Sequence, residues 1–440
     1  MKKAAAKSES IFISIASYRD PELVPTILDC INKAHNKKLL HFGICLQDTT
    51  ENLYYLKHIK RKYNLNLKIY FCDWRDSKGA CWARHIIQKK LYNNQTYYLQ
   101  LDSHHRFIDQ WDSVLKHMYK NQQSLGFNKP ILGGYCPGYN TYANTCDSKP
   151  IQIVCFDKFT EDGDLVFKPH GIDNYIKLLN SGLTVVPARF LSGHFIFTTG
   201  KFCDECLYDP NLYFRGEEIS LSARAYTSGY DFFHPVIPII WHFYLRPEQH
   251  KHWENHQTGN GFIISAENRS VKAKERVRKL LGAELNDINF AKYGLGKDRN
   301  LHEYELYAGL DFKNKTIHKY ATNTRNDAPF AYKMSEEEWQ KNMLLKKIVS
   351  VKFKPAEIEL LKEDIAFIAV CIEDINNKLL HRFDIKKEDV PNIAKNNMEW
   401  RHQIGIENLP THAILLPFHK EKGFGDRYKT QNIDYYDIES

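Results

Sequence analysis

The first hundred residues alternate between short β-rich runs and amphipathic stretches, and this alternation restricts the fold more than any other feature of the chain. Ile11–Ile15 has the composition of a strand, and Glu22–His35 repeats its apolar residues at helical spacing. The elements that follow are the strand His41–Leu46, the helix Glu51–Lys62, the strand Leu67–Cys72, the helix Gly79–Leu91 and the strand Thr96–Leu101. Strands that alternate with helices predict an α/β fold with a mostly parallel, Rossmann-like sheet.

After residue 101 the pattern is mixed, and it becomes β-rich towards the carboxyl end. Strands are predicted at Pro130–Tyr135, Ile151–Phe156, His194–Thr199, Ile365–Ile372, Leu379–Phe383 and His412–Leu416, and a further strand at about Val236–Phe243 is interrupted by Pro238. Helices are predicted at Glu217–Thr227, Ala266–Leu281 and Ser335–Lys347. The stretch Lys313–Pro329 is polar and turn-rich. We therefore expect a large domain over residues 1–312, a linker over 313–330 and a small β-rich accessory module over 331–440.

The composition excludes several classes of protein. With 43% hydrophobic and 26% charged residues, the chain resembles a globular protein and not a disordered one. The most apolar stretch, Phe232–Leu245, is interrupted by histidines and prolines, so no membrane span is predicted. The apolar run after Met1–Ser10 is too short for a signal peptide, which makes the cytoplasm the expected compartment. The net charge is +8, and the Lys and Arg residues form no long basic block, so nucleic acid is not an expected partner.

The strongest local motif is Asp102-Ser103-His104, which directly follows a predicted strand. Ligands bind at this end of the strands in open α/β sheets. A carboxylate and an imidazole two residues apart can hold one divalent cation, because alternate residues face the same way. His242, within an apolar run, is either a third ligand from a distant element or a buried core histidine. Taken alone, such a motif more often describes a capped turn with a surface histidine than a metal site.

Basic residues surround the predicted start of the helix that precedes this motif. Arg75, Lys78 and Arg84 flank Gly79, where free N–H groups and the helix dipole favour anions. The alternative is an ordinary capped helix whose basic side chains face water. Together with the Asp-Ser-His turn at a neighbouring strand end, the pattern predicts a pocket for a nucleotide diphosphate.

Two carboxylates, Glu217 and Glu218, follow Gly216 at the start of another predicted helix. Acidic residues in a first turn often only compensate the helix dipole. A preceding glycine, however, allows a ligand to approach closely, and acid–base or hydroxyl-orienting chemistry needs such a carboxylate. We therefore regard Glu217 and Glu218 as the candidate catalytic residues.

In this order, the motifs resemble those of the GT-A fold glycosyltransferases related to the cytoplasmic hydroxyproline-protein GlcNAc-transferases, a group with many bacterial members. The resemblance extends over about residues 11–312. The matching segments are Ile13–Pro21, Gly79–Arg84, Leu99–His104, Arg106–Phe107, Trp111–Asp112, Tyr208–Pro210, Gly216–Ser220, Arg224, Gly229–Asp231, His242–Arg246 and Tyr293–Gly296.

The resemblance implies a hexosyltransferase that moves a sugar, GlcNAc from UDP-GlcNAc above all, to a hydroxyl group of a glycan or a protein, with retention of configuration. It implies a divalent cation, Mn²⁺ or Mg²⁺, held by Asp102, His104 and His242. It also places Glu217 and Glu218 against the sugars. The residues that it assigns to the UDP-sugar donor are Ser14, Ala16, Tyr18, Arg19, Arg75, Lys78, Gly79, Arg84, Asp102 and Ser103.

Several alternatives stay open at this point. An inverting transferase would use Glu217 or Glu218 as its base. A catalytically silent nucleotide-sugar or glycan-binding protein would keep the same fold, and a metallohydrolase would use the same Asp/His set. Residues 135–190 and the tail decide the acceptor, which the sequence does not name, and self-association as a homo-oligomer is also left open.

Overall fold

The structure is a computed structural model, and its contacts divide the chain into two compact units. The first unit contains described residues up to Phe156 and from Phe167 to Ala308, and the second contains the described parts of Asp157–Val166, Gly309–Asn323 and Met334–Ser440. Among the helices described, none combines the length and the apolar character that a membrane crossing requires. The described residues are 9–141, 145–147, 151–160, 164–172, 175–244, 249–257, 265–285, 287–322, 335–354, 356, 364–395, 398–406, 409–430 and 433–437.

The elements up to Leu101 follow the predicted alternation, and those from there to residue 308 are mixed, as expected. The strands are β1 (Ile11–Tyr18), β2 (Leu40–Asp48), β3 (Leu67–Asp73), β4 (Tyr97–Leu101), β5 (His105–Phe107), β6 (Pro130–Gly133), β7 (Tyr139–Asn140), β8 (Thr145–Cys146), β9 (Ile153–Phe159), β10 (Leu165–His170), β11 (Val185–Pro187), β12 (Phe195–Thr199), β13 (Asp231–Pro235) and β14 (Ile240–His242). The helices are α1 (Leu23–Lys33), α2 (Thr50–Lys62), α3 (Ala80–Lys90), α4 (Trp111–Ser124), α5 (Tyr175–Asn180), α6 (Phe202–Glu205), α7 (Glu217–Thr227), α8 (His252–Asn255), α9 (Ala266–Leu280) and α10 (Leu301–Ala308).

Eight strands form the main sheet, in the order β11-β13-β6-β12-β4-β1-β2-β3. The half that contains β3, β2, β1 and β4 is parallel throughout. Strand β12 runs antiparallel to both β4 and β6. The predicted α/β fold with a mostly parallel, Rossmann-like sheet is confirmed, and the carboxyl ends of β1 to β4 share one edge.

The core of the first unit lies in this sheet. Ile13, Ile15 and Leu99 are fully buried, which explains why β1 and β4 are nearly continuous apolar runs. Helix α1 buries Leu23 and Ile27 on the face that its periodicity predicts. Because the middle of the sheet is dry and apolar, the polar side chains at its carboxyl edge are held on a rigid base.

The second unit is β-rich, as predicted for the tail. One sheet has the order β15-β16-β17-β20 with β24 beside β17, and another has the order β19-β18-β21-β22 with β23 beside β21. Its core includes Val349, Val370, Ile372 and Leu415. The strands are β15 (Leu310–Asp311), β16 (Thr316–His318), β17 (Met343–Lys352), β18 (Ile365–Glu373), β19 (Leu379–Ile385), β20 (Glu399–Ile406), β21 (His412–His419), β22 (Gly423–Phe424), β23 (Tyr428–Thr430) and β24 (Ile433–Asp437). The helices are α11 (Lys319–Thr322), α12 (Glu336–Lys341) and α13 (Val390–Lys395).

Two predicted elements differ from the structure in extent. The strand predicted at Val236–Phe243, with an interruption at Pro238, is present only after that proline, as β14, because Pro238 has no N–H group to donate to a ladder. The helix predicted at Ser335–Lys347 ends at Lys341, and its last residues belong to strand β17, which pairs with β20 and β24.

The predicted linker also contains regular structure. Strand β16 and helix α11 both lie within residues 313–330, while residues 323–334 lie outside the described part of the chain. The division into domains at 1–312, 313–330 and 331–440 stays a prediction.

Candidate active site

A short two-stranded ladder joins the end of β4 to a distant part of the chain. Strand β5 pairs antiparallel with β14, which places His105 opposite His242. The backbone N–H of Phe243 donates to the carbonyl oxygen of His104 at 3.1 Å. As a result, His104 and His242, which are 138 positions apart in sequence, have their Nε2 atoms 3.0 Å from each other.

Asp102 completes a triad with these two histidines. Its Oδ2 atom lies 3.8 Å from Nε2 of His104 and 3.5 Å from Nε2 of His242. One ligand atom from each of the three residues lies within 4.8 Å of the others. Both histidines are buried, whereas the Asp102 side chain keeps 29% of its surface exposed. A carboxylate and two imidazoles, open on one side, form a ligand set that suits a divalent metal ion.

Arg84 fixes the orientation of the Asp102 carboxylate. Its Nη2 group donates to Oδ1 of Asp102 at 2.7 Å, so it is Oδ2 that faces the histidines. Its Nη1 group donates to Oε1 of Glu217 in a second buried ion pair. Burial tends to raise the pKa of Asp102, but a hydrogen bond from His242 and the charge of Arg84 hold that pKa well below its ordinary value. Asp102 is therefore a carboxylate at neutral pH.

Two residues of the first unit hold the Asp-Ser-His turn in place, and the sequence did not assign either of them to the site. The buried Thr26 hydroxyl donates to the Ser103 carbonyl at 2.9 Å and accepts from the His105 N–H at 2.9 Å. The Asp20 carboxylate accepts from Nδ1 of His104 at 2.7 Å. A signal for Asp20 did exist, since it lies in the motif that ends strand β1.

The two candidate catalytic carboxylates have different environments. Glu217 is 4% exposed and accepts from Arg84 and, at 2.8 Å, from the Tyr208 hydroxyl. Glu218 is partly exposed and accepts from the Gly193 N–H at 2.9 Å and from the Tyr135 hydroxyl at 3.0 Å. Burial raises the pKa of Glu218, although these two hydrogen bonds act in the opposite direction.

The predicted donor residues at the end of β1 form an aromatic and cationic cluster. The Tyr18 hydroxyl and Nη1 of Arg19 both donate to Oδ1 of Asn255, at 3.1 and 3.3 Å. The guanidinium groups of Arg19 and Arg75 lie 4.5 and 5.1 Å from the centre of the Trp74 ring. This surface offers stacking and positive charge at the carboxyl edge of the sheet.

The other predicted donor residues differ in how exposed they are. Ser14 is 1% exposed within the sheet, whereas Ala16 is partly exposed. Lys78 is exposed, and Gly79 is buried with φ +101°, where an added Cβ atom would lie 2.4 Å from the Tyr213 carbonyl oxygen. The structure therefore brings Ala16, but not the Ser14 side chain, to the surface of β1.

A cavity opens beside the end of β1. Its volume is about 300 Å³, at the lower end of the range of about 300–1,000 Å³ for ligand pockets. Arg19, Asp20, Asp48 and Asn52 contribute polar groups, and apolar side chains from α1, β2 and α2 complete its walls. The sequence analysis did not predict this cavity, although all of its lining residues lie within residues 19–56.

Comparison with known proteins gives the family and the fold. The sequence profile of the family described as Glycosyltransferase (GlcNAc) matches residues 10–62 and 52–314. No curated protein sequence matches the chain. The solved structure of GalNAc-T7 with UDP, GalNAc and Mn²⁺ is similar with a TM-score of 0.50 and 13% identity, over 96% of this chain and 72% of that one. Residues 1–349 of S. aureus TarS, in complex with UDP-GlcNAc, give a TM-score of 0.40 and 12% identity, over 76% of this chain and 78% of that one.

At this level of identity, the similarity to GalNAc-T7 concerns the fold alone. It confirms the GT-A fold that the sequence motifs implied. The matched segments of the family profile run from residue 10 to residue 314 of 440, and they contain Asp102, His104 and His242. The chain belongs to the Glycosyltransferase (GlcNAc) family.

Proposed function

We propose that this glycosyltransferase uses a divalent cation, Mn²⁺ first of all, to transfer GlcNAc from UDP-GlcNAc to a hydroxyl group of a glycan or a protein. The observation that carries the proposal is the convergence of Asp102, His104 and His242 at the carboxyl end of a parallel strand. The family description supports GlcNAc as the sugar. The presence of UDP and Mn²⁺ in the GalNAc-T7 structure supports the nucleotide and the metal.

The charges around the triad also support a divalent cation. Asp20 accepts from His104 of the triad, and Arg84 forms ion pairs with both Asp102 and Glu217. These three carboxylates and one guanidinium together carry two net negative charges. A buried charge of this size is costly unless a counter-ion balances it, and a divalent cation matches it.

Asp102, His104 and His242 would hold this cation, which would supply Lewis-acid stabilisation of the negative charge on the departing diphosphate. The protein residues position the metal ligands and the nucleotide. Arg84 directs Oδ2 of Asp102 towards the histidines, and we assign Tyr18, Arg19 and the cavity beside them to the nucleoside. Holding donor and acceptor in the reactive geometry can contribute roughly 7–11 kcal/mol to the lowering of the barrier.

Glu218 is the proposed contact to the sugars. Its carboxyl group is partly exposed and is oriented by Tyr135 and Gly193, whereas the Glu217 carboxyl group is engaged by Arg84. We propose retention of configuration, in which Glu218 orients a hydroxyl group and needs no strong basicity. Inversion would make Glu218 the general base instead. The anomeric proton coupling of the product, measured by NMR, distinguishes the two outcomes.

We further propose that residues 1–312 carry the transfer reaction in the cytoplasm and that residues 331–440 serve acceptor binding or association. The β-rich character of the tail motivates the second assignment. Acceptor binding by the full chain, compared with a chain that lacks the tail, tests it.

The release of UDP tests the main proposal. The purified protein is freed of metal with a chelator and is then incubated with UDP-GlcNAc, UDP-GalNAc or UDP-glucose, each with Mn²⁺, with Mg²⁺ and without metal. We expect release from UDP-GlcNAc that requires the cation and is lost in Asp102→Ala. Release without metal would contradict the proposed cation, and no release with any donor, with or without glycan and peptide acceptors, would contradict the transferase activity.

A further inference from the structure

Asp20 lies against the Asp-Ser-His turn and uses both oxygens of its carboxylate as hydrogen-bond acceptors. Oδ1 accepts from the backbone N–H of Glu22 at 2.9 Å. Oδ2 accepts from the Ser103 hydroxyl at 2.6 Å and from Nδ1 of His104 at 2.7 Å. The Asp20 side chain is only 3% exposed, so water competes little for these contacts. Three donors from two chain segments thus meet at one buried carboxylate.

This contact determines which nitrogen of His104 carries the hydrogen. A carboxylate has no hydrogen to give, so Nδ1 of His104 must be the donor. A neutral imidazole has one N–H group, and Nε2 therefore keeps its lone pair. Nε2 is also the atom that faces Oδ2 of Asp102 and Nε2 of His242.

We propose that Asp20 is a positioning residue that fixes His104 in its Nδ1–H form and so prepares Nε2 to bind the cation. The inference rests on the cation of the proposed function but concerns a residue outside the triad. Carboxylates that accept from metal-bound histidines orient the ring and increase its basicity, and their loss typically weakens metal binding by about 10- to 100-fold. The ring of His104 is buried, so water has little access to take the place of Asp20 beside Nδ1.

The variant Asp20→Asn distinguishes this hydrogen-bonding role from a purely steric one, because Asn has nearly the same size as Asp. An amide has one acceptor oxygen and one NH₂ donor, whereas both Asp20 oxygens accept. The N–H of Glu22 is part of the backbone and cannot turn away, so the Asn oxygen is expected to face it. The NH₂ group then faces His104, where it favours a ring that accepts at Nδ1 and carries its hydrogen on Nε2, the wrong atom for a metal ligand.

The first experiment measures Mn²⁺ binding by the full chain. The electron paramagnetic resonance signal of free Mn²⁺ reports how much of the ion remains unbound. Asp112→Asn is the matched control, because Asp112 is 1% exposed and its two oxygens accept from the backbone N–H groups of His35 and Asn36, at 2.7 and 3.1 Å. We expect Asp20→Asn to weaken binding about 10- to 100-fold and the control to leave it unchanged. Equal affinities of wild type and Asp20→Asn would overturn the inference.

The second measurement needs no metal and does not depend on the stability of a variant at Asp20. Long-range ¹H–¹⁵N spectra of histidine-labelled, metal-free protein report the protonated ring nitrogen, and His104→Gln identifies the His104 signals by their loss. We expect a hydrogen on Nδ1 and none on Nε2. A hydrogen on Nε2 in the wild type would overturn the role of Asp20, whereas a correct tautomer without Mn²⁺ binding would support that role and contradict only the proposed cation.

Discussion

At the scale of single residues, Glu217 and Glu218 show how position divides the roles of two identical side chains. Both belong to the first turn of α7, but successive residues of a helix point in different directions. Glu217 faces the buried guanidinium of Arg84, and Glu218 faces Tyr135 and Gly193 at the surface of the site. The first carboxyl group is therefore engaged in a buried ion pair, and the second, which is partly exposed, is the one we propose as the contact to the sugars.

The pair Glu217→Gln and Glu218→Gln tests this division. Glu217→Gln removes one charge of a buried ion pair, and we expect a loss of stability of about 3 kcal/mol, near the lower end of the range for such pairs because Gln still accepts a hydrogen bond. Glu218→Gln should keep the melting temperature near that of wild type and lower kcat at least about tenfold, which corresponds to about 1.4 kcal/mol. Thermal unfolding and UDP release measure the two effects, and equal destabilisation by both variants would contradict the assignment.

The raised pKa of Glu218 leads to a prediction about how kcat depends on pH. Burial raises this pKa above the ordinary value of 4.5, so the ionised form that orients a hydroxyl group is lost as the pH falls through a higher value than usual. The Tyr135 hydroxyl lowers the pKa of Glu218, and Tyr135→Phe should therefore raise it further.

We expect the acid limb of the kcat–pH profile to lie above that of an ordinary glutamate and to move to still higher pH in Tyr135→Phe. The exposed Tyr63→Phe, which is far from α7 in sequence, is the control and should leave the limb in place. A limb that does not move, or moves down, in Tyr135→Phe would contradict this role of Glu218.

At the scale of elements, the start of α3 depends on the backbone of Gly79. Gly79 has φ +101°, and a Cβ atom there would lie 2.4 Å from the Tyr213 carbonyl oxygen. Gly126 has a similar φ of +98°, but an added Cβ atom would meet nothing within 4 Å. Both glycines therefore have a positive φ, but only at Gly79 would an added Cβ atom collide with a neighbouring residue.

Gly79→Ala and Gly126→Ala separate these two contributions. We expect Gly126→Ala to cost about 1–2 kcal/mol, the penalty for a side chain in the left-handed region. Gly79→Ala should cost clearly more and should also weaken UDP binding, since either α3 or the chain at Tyr213 must move. Denaturant unfolding and UDP titration measure both, and equal stability of the two variants would show that the contact is relieved without cost.

Several elements were predictable from sequence because their signals are local. The limits of α7 are those predicted, since Gly216 and two acidic residues mark its start. Strand β17 was mistaken for a helix because it follows helix-forming residues directly and is stabilised by β20 and β24, more than forty positions away. In the same way, the basic start of α3 predicted that Arg84 contacts the nucleotide. The structure places Arg84 between Asp102 and Glu217, and this position was not predictable because the three residues are far apart in the sequence.

At the scale of the whole molecule, the position of β16 determines where the chain can be shortened. Ile317 and His318 pair with Leu344 and Met343 of β17. A chain that ends near residue 330 therefore keeps β16 paired with β15 but loses β17, and the edge of β16 that β17 covers becomes an unpaired strand edge, which promotes aggregation. A chain that ends at Ala308 avoids this edge and keeps the buried helix α10.

We expect the chain 1–308 to give more monomeric protein than the chain 1–330 and to retain Mn²⁺-dependent UDP binding, because the triad and the proposed nucleotide-binding residues all lie before residue 308. Size-exclusion chromatography and UDP titration of the two chains test this expectation. A chain 1–330 that is as monodisperse and as stable as 1–308 would show that β16 does not need β17 beside it.

The ladder between β5 and β14 also has a consequence for folding. In an unfolded chain, His104 and His242 are separated by 138 positions, so the triad cannot hold a metal ion until the ladder has closed this long loop. Metal affinity and folding are then thermodynamically linked, and a cation at one hundred times its dissociation constant adds about 2.7 kcal/mol to the stability of the native state. The supply of the cation would therefore control how much of the enzyme is folded as well as how fast it works.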